Sequence, residues 1–547
     1  MNPHLKLYPV PQINSIQDMI IHSANVYGDK LALEDLNETP IPRITYQALL
    51  KHILKFGTAL KKIGLPERSH IAVIGENRVQ WAISYLTAAC FNYVIVPIDK
   101  NLSTNEILNV IHESDAEAII FSEQFEPVFR EKHSSLLKVK QYISMDETSS
   151  GHHFYSMTEL IRTSPGCTVE ELPRIQPTEM SAIIFTSGTL GRAKGVMLSQ
   201  HNIASNLMAM LSVYMMYPTD RFLSVLPIHH TYECNCGMLC PLYAGSSIHY
   251  ARSLKTVVDD LQQVHATILL GVPLLFDKMF KRIHKGIQEK KAVAKILHPI
   301  IRITDALQQF GWKSAKKTIF KEIHHKFGGS IRSFIAGGAA ADPLVAKGLR
   351  DLGFMFIQGY GLTETSPILA LNSPLNFKDD AAGIPLPGVE IMINNPDHDG
   401  IGEVYAKGKN VMLGYYKNQA ATAEVFDNGW FKTGDLGFID NDGFLHISGR
   451  KKNVIISKSG KNVFPEEIED VLNRSPFIME SMVYGEQDSK LGEIIAAQVV
   501  VDAEAMIEYS ESTGKQITGE LLHQIIAEEV KKVNKQLSSY KQIRKFV

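Results

Sequence analysis

The stretch that decides the fold runs from Ile71-Ala-Val-Ile-Gly75 through Trp81-Ala-Ile-Ser-Tyr85 and Tyr93-Val-Ile-Val-Pro97 to Ala118-Ile-Ile-Phe121. Short apolar runs alternate here with stretches of helical character, which is the punctuation of a βαβα unit. The near-continuous β-branched runs indicate strands buried on both faces, as in a parallel sheet covered by helices. The sequence therefore predicts an α/β body.

The same alternation returns farther along the chain. Strand-like apolar runs recur at Ser181-Ala-Ile-Ile-Phe185, Arg221-Phe-Leu-Ser-Val-Leu226, Thr267-Ile-Leu-Leu270 and Ser333-Phe-Ile-Ala336. Between about residues 281 and 326, a basic stretch with helical periodicity predicts two long surface helices. A solvated helical insertion explains this stretch, and a basic face that approaches anionic membrane lipid is the functional alternative.

The sequence pattern changes after about Ala381. Short strand-like runs are separated there by Gly, Asn and Asp turns, which predicts a small antiparallel β unit. A polar joint follows at Arg450-Lys-Lys-Asn453, and beyond Pro465 two helical patterns flank a strand at Ala496-Ala-Gln-Val-Val-Val501. We therefore expect a large N-terminal domain, residues 1–449, of α/β subdomains plus the small β unit. Residues 450–547 are expected to form a smaller α+β C-terminal domain.

Composition narrows the functional classes. The 547 residues are 45% hydrophobic and 21% charged, with a formal net charge of -2, which is typical of a globular protein. Basic and acidic residues nearly cancel, so we expect no nucleic-acid partner. Residues 1–12 lack a secretory pattern, no run of about 18 apolar residues follows, and the five cysteines fit a reducing compartment. These features predict a cytoplasmic protein, or one peripheral to the inner face of a membrane.

A zinc site is one interpretation of the cysteines. Cys234, Cys236 and Cys240 lie close behind His229 and His230. However, the spacing contains no paired C-x-x-C, the neighbouring residues are apolar, and cysteine is among the most frequently buried residue types. The pattern favours buried structural cysteines.

The strongest local signal is Thr186-Ser-Gly-Thr-Leu-Gly-Arg-Ala-Lys-Gly195, which follows an apolar strand. Small hydroxyl residues and glycines allow backbone N–H groups to close on phosphate oxygens, and the lysine supplies a positive charge. The spacing differs from a Walker A loop because Gly195, rather than Ser or Thr, follows the lysine. The stretch predicts a phosphate loop, with an ordinary Gly/Ser turn as the alternative.

A second cluster is Gln358-Gly-Tyr-Gly-Leu-Thr-Glu-Thr-Ser366. Its aromatic ring, hydroxyls and carboxylate suit base stacking, phosphate binding and a hard cation such as Mg²⁺, although a loop with a helix cap gives the same pattern. Two more stretches, Trp430-Phe-Lys-Thr-Gly-Asp-Leu-Gly437 and Ile447-Ser-Gly-Arg-Lys-Lys-Asn453, offer an acid for ribose hydroxyls and an arginine for phosphate. Surface turns or salt bridges are the alternative for these two.

These four clusters, in this order, resemble the acyl-adenylate-forming superfamily, which includes acyl-CoA synthetases, luciferases and peptide-synthetase adenylation domains. The resemblance spans nearly the whole chain. Pro227-Ile-His-His-Thr-Tyr-Glu233 and the helical insertion before Ile335-Ala-Gly-Gly-Ala339 look most like long-chain fatty acyl-CoA synthetases. The resemblance implies ATP- and Mg²⁺-dependent activation of a long-chain fatty acid, followed by transfer to coenzyme A. An acyl carrier protein as acceptor, or a non-catalytic nucleotide-binding relative, is the alternative.

The resemblance also implies roles for individual residues. It assigns the triphosphate to Thr186, Ser187, Gly188, Thr189, Gly191 and Lys194. It assigns the rest of the nucleotide to Gly359, Tyr360 (adenine), Gly361, Thr363 (α-phosphate), Asp435 (ribose) and Arg450. It assigns Mg²⁺ binding to Thr189 and Glu364. It assigns binding of the acyl substrate to His230, Gly337, Gly338 and Ala339. The catalytic set is His230, Thr363, Glu364 and Lys194; Lys452 is the hinge of a mobile C-terminal domain, and Gly460 and Lys461 approach the pantetheine arm.

The sequence departs from the family pattern at two places. Leu190 stands where a second Thr is usual and Ala193 where Pro is common, so we expect a tuned nucleotide site. The closing stretch, Ser538 to Val547, resembles the approach to the family's catalytic lysine but ends before it, and neither Lys541 nor Lys545 takes that role. We expect the given chain to behave as a truncated form that binds ATP and adenylates poorly. Acyl chain length and oligomeric state, a dimer among the options, do not follow from the sequence.

Overall fold

The computed structural model describes residues 7–147, 151, 153–186, 193–289, 291–456, 460–488 and 492–547. The chain divides into two compact units, Met1–Glu390 with Ala406–Phe431, and Ile391–Tyr405 with Lys432–Val547. The second unit therefore includes residues of the small β unit that the sequence analysis placed in the N-terminal domain. The boundary near residue 449 stays a prediction.

The first unit contains a nine-stranded sheet whose centre is parallel. From one edge to the other, its strands are Ile384–Pro385, Ile368–Leu371, Met355–Gly361, Ser333–Ala336, Ile268–Gly271, Arg221–Ser224, Ser247–Tyr250, Leu31–Asp35 and Arg43–Thr45. Six neighbouring strands, from Met355–Gly361 to Leu31–Asp35, run parallel, and the edge strands are antiparallel. This arrangement confirms the α/β interpretation.

A second sheet of the first unit holds the deciding stretch. Its strands, in spatial order, are Gly414–Tyr415, Lys194–Ser199, Met180–Thr186, Val94–Ile98, His70–Ile74, Ala118–Phe121, Gln141–Ser144 and Phe154–Ser156. The six strands from Met180–Thr186 onward are parallel. Every residue of Val94–Ile98 and of Ala118–Phe121 is buried, which is the two-sided burial that the β-branched runs predict.

Helices cover these sheets. Those outside the insertion are Ile16–Tyr27, Tyr46–Lys62, Val79–Cys90, Thr104–Glu113, Glu126–Lys132, Met157–Thr163, Gln200–Val213, Cys240–Ala244, Val257–Val264, Pro343–Asp351 and Gln419–Val425. Val79–Cys90 is buried along its whole length, including its polar residues Gln80, Ser84 and Thr87. Thr104–Glu113 begins with a capping box in which Ser103 and Glu106 each accept the other's backbone N–H.

The basic insertion has more helices than predicted. Two long helices, Pro273–Gln288 and Lys291–Gln309, are followed by two short ones, Ala315–Ile319 and Lys321–His325. Gly311 has a φ of 101°, which ends the second long helix, and Phe320 between the short helices is buried in the core. The prediction of two long helices is therefore right only for the first part of the stretch.

Most residues of the small five-stranded sheet belong to the second unit. Its strands are Val389–Asn394, Gly402–Gly408, Phe426–Asp427, Trp430–Ile439 and Leu445–Arg450, and the pair Ile455–Ile456 and Asn462–Val463 follows. Beyond it, Ile478–Asp488 pairs antiparallel with Gly492–Val501, which pairs parallel with Lys545–Phe546. The helices are Pro465–Leu472, Ala503–Thr513 and Gly519–Asn534. The strand Ile478–Asp488 was not predicted, because polar Ser481 is buried and apolar Met482 is exposed, so the apolar pattern of the sequence does not follow the burial of the strand.

In the part of the chain that the structure describes, no helix has the length and apolar character needed to cross a lipid bilayer.

Candidate active site

Most of the predicted first-unit residues meet at one edge of the nine-stranded sheet. His230 lies in the loop after Arg221–Ser224, Gly337 to Ala339 follow Ser333–Ala336, and Gly359 to Gly361 close Met355–Gly361. Since these strands are parallel, their carboxyl ends share one edge, which is where α/β sheets bind ligands. The topology thus brings together residues that are separated by more than 100 positions in the sequence.

The phosphate loop joins two antiparallel strands of the other sheet. Met180–Thr186 pairs with Lys194–Ser199, with Thr186 opposite Lys194. The Thr186 hydroxyl donates to the Lys194 carbonyl oxygen over 3.4 Å. Both ends of the loop are therefore placed, whereas Ser187, Gly188, Thr189 and Gly191 lie outside the described residues.

Tyr415 connects the loop lysine with the acidic residue of the second cluster. The Lys194 Nζ atom lies 4.9 Å from the centroid of the Tyr415 ring, and the Tyr415 hydroxyl donates to Glu364 Oε1 over 2.9 Å. Burial, followed by the nearby Glu364 carboxylate, raises the pKa of Tyr415, so the phenol stays protonated as a donor. The resulting array holds an ammonium group, a phenol and a carboxylate side by side.

Sequence analysis missed Tyr415. It belongs to the short strand Gly414–Tyr415, which pairs with Met197 and Val196 after more than 200 intervening residues. A Gly-Tyr-Tyr run before a helix is the one local signal, and it does not distinguish a site residue from a core aromatic residue.

Thr363 and Glu364 lie in the single turn Thr363–Thr365 after Met355–Gly361. The Thr363 hydroxyl is 3.5 Å from the Thr231 hydroxyl, and the Glu364 carbonyl oxygen accepts the Met412 N–H over 2.8 Å. The turn is therefore in contact with the histidine loop on one side and the Tyr415 segment on the other.

The glycines around Tyr360 are required by close approach. A Cβ atom on Gly361 would lie 1.8 Å from the Pro367 carbonyl oxygen, and one on Gly359 would lie 3.0 Å from the Leu371 side chain. The strand Met355–Gly361 forms a tight antiparallel pair with Ile368–Leu371, in which Tyr360 is opposite Ala370. Any side chain at position 361 would displace this pair and with it Tyr360, which is half-buried.

His230 is held as a neutral imidazole. Its Nδ1 atom accepts the backbone N–H of Tyr232 over 3.2 Å, which leaves Nε2 as the protonated nitrogen of the neutral ring. Solvent reaches the ring, yet desolvation by the flanking protein atoms lowers the pKa of His230, and the Asp99 charge opposes that effect. Asp99, which the sequence analysis did not identify, lies 3.7 Å from Nε2 of His229.

The Gly337 segment packs on the histidine loop. A Cβ atom on Gly337 would lie 2.7 Å from the ring of Tyr232, whose hydroxyl donates to the Ile335 carbonyl oxygen over 3.0 Å. Gly338 has a φ of 86°, a conformation that glycine adopts without strain, and it is exposed together with Ala339. Gly337 is thus required for close packing and Gly338 for the turn.

An apolar cavity lies behind this edge, and the space between its atoms, including the part that is open to solvent, is about 440 Å³. Ala336 and Gly359, which line it, immediately precede Gly337 and Tyr360. The other lining residues are Met210, Tyr214, Met216, Tyr232, Cys236, Cys240, Leu270, Ile335, Ile357, Ile368 and Leu371.

The cysteines beside the cavity do not offer metal ligands. Cys234 and Cys236 belong to a π-helical segment, Tyr232–Leu239, and Cys240 follows it; all three are buried. Burial raises the pKa of each thiol, which disfavours the thiolate that zinc requires. Their chemistry is that of cavity lining and core packing.

Within the second unit, two predicted nucleotide residues contact each other. Asp435 and Arg450 are opposite each other on neighbouring strands, and Arg450 Nε lies 2.9 Å from Asp435 Oδ1. Asp435 is 3% exposed, and its backbone N–H donates a hydrogen bond to the Thr433 hydroxyl oxygen. Lys452 lies in the turn Lys451–Asn453, just after this pair. Its assignment as the hinge stays a prediction.

The Gly460 segment also belongs to the second unit. Gly460 has a φ of 74°, and the Lys461 Nζ atom lies 4.7 Å from the centroid of the Tyr540 ring. The coenzyme A assignment of these two residues stays a prediction.

Comparison with known proteins assigns both parts of the chain. Residues 20–416 match the family described as AMP-binding enzyme, and residues 467–547 match the AMP-binding enzyme C-terminal domain. The sequence is 30% identical over 531 residues to long-chain-fatty-acid–CoA ligase 1 of Cavia porcellus, covering 87% of this chain and 72% of that protein. It is 28% identical over 554 residues to a chloroplastic long-chain-fatty-acid–acyl-carrier-protein ligase (AEE15) of Arabidopsis thaliana, covering 88% and 76%.

Among solved structures, the chain is similar to the anthranilate CoA ligase AuaEII in complex with anthranoyl-AMP. The TM-score is 0.77 at 19% sequence identity, and the match covers 98% of this chain and 93% of that one. At this identity the similarity supports the fold.

Proposed function

We propose that this chain, which belongs to the AMP-binding enzyme family, converts a long-chain fatty acid and ATP into an acyl-adenylate and passes the acyl group to the thiol of coenzyme A. Membership in the family supports the acyl-adenylate chemistry. The apolar cavity behind Ala336 and Gly359 carries the fatty-acid part of the proposal.

The cavity suits an unbranched aliphatic chain. Its lining is Leu, Ile, Met, Cys and two tyrosines, without a charged side chain among the residues that the structure places there. Each buried methylene of a ligand gains roughly 0.8 kcal/mol, so a long tail would provide most of the binding energy. Met210 and Cys236, whose sulfur atoms lie 3.5 Å apart, offer a soft wall that adapts to chain length.

The residues around the edge suit activation of a carboxylate. A carboxylate is a poor electrophile, and attack of its oxygen on the α-phosphorus of ATP, with release of pyrophosphate, gives the acyl carbon a good leaving group, AMP. Negative charge grows on the phosphate oxygens in this step, and Lys194 and the Thr363 hydroxyl are the groups that would stabilise it. The neutral His230 ring can donate from Nε2 to the carboxylate and hold it in place.

Glu364 is a suitable ligand for Mg²⁺. One carboxylate oxygen accepts the Tyr415 hydroxyl, and the carboxylate is a hard oxygen donor of the kind that Mg²⁺ prefers. When bound, Mg²⁺ would neutralise phosphate charge. The role proposed for Glu364 itself is to hold the cation next to the Lys194 ammonium group.

The first experiment is acid-dependent release of pyrophosphate from ATP, measured with a series of fatty acids, with and without coenzyme A. We expect the rate to peak with long chains and the product to be acyl-CoA. Cys236→Phe, which fills the cavity, is expected to move the optimum to shorter acids, whereas Cys90→Ser, a buried cysteine outside the cavity lining, leaves the optimum unchanged. An optimum with aromatic or very short acids would contradict the fatty-acid proposal.

Acyl carrier protein is the second candidate acceptor, because one similar protein bears that acceptor in its name. The two acceptors are separated by adding either thiol to preformed acyl-adenylate and measuring release of AMP. If only coenzyme A accelerates the release of AMP, the result supports the main proposal. If only the carrier protein does, the acyl group is transferred to the carrier protein instead of coenzyme A.

The insertion supports a further part of the proposal, peripheral contact with anionic lipid. Ile296, Ile303 and Phe310 follow one another at seven-residue intervals, which puts them on one side of Lys291–Gln309 and its end, and all three are exposed, Phe310 by 91%. Residues 281–326 contain twelve Lys and Arg against three Asp and Glu. Apolar side chains among basic ones suit the surface of an anionic bilayer, where a fatty acid would be collected.

Cosedimentation with phosphatidylglycerol vesicles tests this contact, with phosphatidylcholine vesicles as the comparison. We expect binding to the anionic vesicles and its loss in the double variant Ile303→Ser with Phe310→Ser. Leu137→Ser is the matched control, since Leu137 is also 91% exposed and lies outside the insertion. Equal binding of vesicles by both variants, or no binding by the original chain, would contradict the proposed contact with anionic lipid.

A further inference from the structure

A buried set of polar side chains lies beneath the loop that carries His230. Ser224 ends the strand before this loop, and Glu233 lies in the π-helical segment after it. Ser224 is 4% and Glu233 2% exposed, and the Ser224 hydroxyl donates to Glu233 Oε1 over 2.5 Å. The two ends of the loop are therefore joined through side chains in a dry environment.

Asn77 extends this set to the other sheet. It follows the strand His70–Ile74, and its Nδ2 group donates to the Ser224 hydroxyl over 2.9 Å and to the Leu226 carbonyl oxygen over 2.6 Å. Its Oδ1 atom accepts the Ile228 N–H over 3.1 Å. One side chain thus binds the loop at two points and the end of the preceding strand at a third, and none of these contacts uses the nucleotide or the acyl cavity.

We propose that Asn77, Ser224 and Glu233 are positioning residues that fix the loop of residues 225–231 and thereby place the His230 imidazole against the carboxylate of the acid. The inference rests on the proposed function for its final step, the contact of His230 with the acid. Fixation of the loop itself is independent of the reaction.

The contacts of His230 show how the loop conformation reaches its ring. The His230 N–H donates to the Pro227 carbonyl oxygen over 3.0 Å, its carbonyl oxygen accepts the Cys234 N–H over 2.9 Å, and Nδ1 accepts the Tyr232 N–H. Because the His230 backbone is hydrogen-bonded to Pro227, which lies between the two loop residues that Asn77 binds, a shift of the loop moves the ring. Misplacement of a reacting partner by about 1 Å can reduce a rate by roughly a hundredfold.

The chemistry of Glu233 fits a structural acceptor. Burial raises its pKa to about 8, so near neutral pH the side chain is an uncharged acid that accepts the serine hydroxyl. Gly237 leaves room for it, because a Cβ atom there would lie 2.7 Å from the carboxyl group. The position requires a side chain of this length with an oxygen atom that accepts the Ser224 hydroxyl. Glutamine has such an oxygen, and methionine does not.

A double-mutant cycle with His230→Ala tests the proposal. We expect Asn77→Ala and Glu233→Met to lower kcat/KM for the acid about tenfold to a hundredfold, with little change in KM for ATP, and Glu233→Gln to retain activity. In the His230→Ala background the same changes are expected to have almost no further effect, because the ring they position is gone. Additive losses would overturn the positioning role. Asn372→Ala is the matched control, since Asn372 also makes three side-chain hydrogen bonds, in its case to backbone groups of Lys378 and Ala381. Any reduction of kcat/KM in Asn372→Ala is expected to be additive with that of His230→Ala.

Hydrogen–deuterium exchange provides a readout that needs no activity. Asn77→Ala is expected to speed exchange in the peptide that covers residues 226–234 at least tenfold, whereas Asn372→Ala leaves that peptide unchanged. Unchanged exchange in Asn77→Ala would overturn fixation of the loop. If the original chain activates no acid while Asn77→Ala does speed exchange, the proposed function fails and the fixation of the loop stands.

Discussion

Each unit of the molecule places a cation beside a carboxylate, and the two arrangements differ. In the second unit Arg450 forms a direct ion pair with the buried Asp435 at 2.9 Å. In the first unit the Tyr415 phenol lies between, in contact with the Lys194 ammonium group through its ring and with Glu364 through its hydroxyl. A direct pair neutralises both charges, whereas the phenol holds the two groups close without neutralising either. We therefore propose that the charges of the first unit take part in the chemistry and that the pair of the second unit orients the nucleotide.

Removal of the Glu364 charge should have the largest effect. Glu364→Gln is expected to reduce acid-dependent pyrophosphate release by about a hundredfold or more, since loss of one preorganised charge-stabilising group commonly costs that much. Asp115→Asn is the matched control, because Asp115 also accepts a tyrosine hydroxyl, that of Tyr416, at 2.7 Å. Equal losses in the two variants would show that the Tyr415 and Glu364 pair is structural.

Removal of the phenol hydroxyl should have a smaller effect. Tyr415→Phe keeps the ring over which Lys194 lies and deletes the hydrogen bond to Glu364, so we expect about a tenfold loss in kcat and a raised Mg²⁺ requirement. Steady-state kinetics at several Mg²⁺ concentrations measure both. In the neighbouring Tyr416→Phe variant we expect neither change, and a changed Mg²⁺ requirement there would remove the distinction between the two tyrosines.

The ion pair of the second unit should affect binding more than turnover. Asp435→Asn is expected to raise KM for ATP by about tenfold with a smaller change in kcat, because an orienting pair contributes equally to ground state and transition state. A kcat loss as large as that of Glu364→Gln would mean that both units carry reactive charge.

A third carboxylate, Glu233, is protonated near neutral pH, and its effect is on stability. With the pKa raised to about 8, its favourable contribution to stability is fully present below its ordinary pKa of 4.5 and is lost as the pH rises toward 8. The free energy of unfolding of the original chain should therefore fall relative to Glu233→Gln by up to about 1.4 kcal/mol per pH unit over this range. The titratable groups around it, Tyr232, Cys234, Cys236 and Tyr250, have raised pKa values and stay neutral. Chemical denaturation at pH 5, 6.5 and 8 measures the difference, and parallel curves would contradict it.

Local patterns predicted much of this molecule. The β-branched runs at residues 71–74, 94–98 and 118–121 predicted buried parallel strands, and the resemblance to acyl-adenylate-forming enzymes is confirmed by the family match over residues 20–416. Asp435 and Arg450 were both identified, since each lies in its own polar, glycine-containing stretch. The direct contact between them was not predicted, because it depends on the register of two strands.

The sequence by itself determined the fold class, the family and the residue types that can bind nucleotide, because periodicity, glycine spacing and charge are properties of neighbouring residues. Only the tertiary structure decided which of them meet. Tyr415 is placed by a strand pairing with residues about 220 positions away, and it reaches Glu364 through a side-chain hydrogen bond between the two sheets. Asn77 reaches the His230 loop, about 150 positions away, through a contact of the same kind. The acyl cavity likewise forms between a helix, a π-helical segment and the ends of parallel strands, so its lining is scattered along the chain. Contacts of this kind depend on packing over the whole domain, and no local pattern records them.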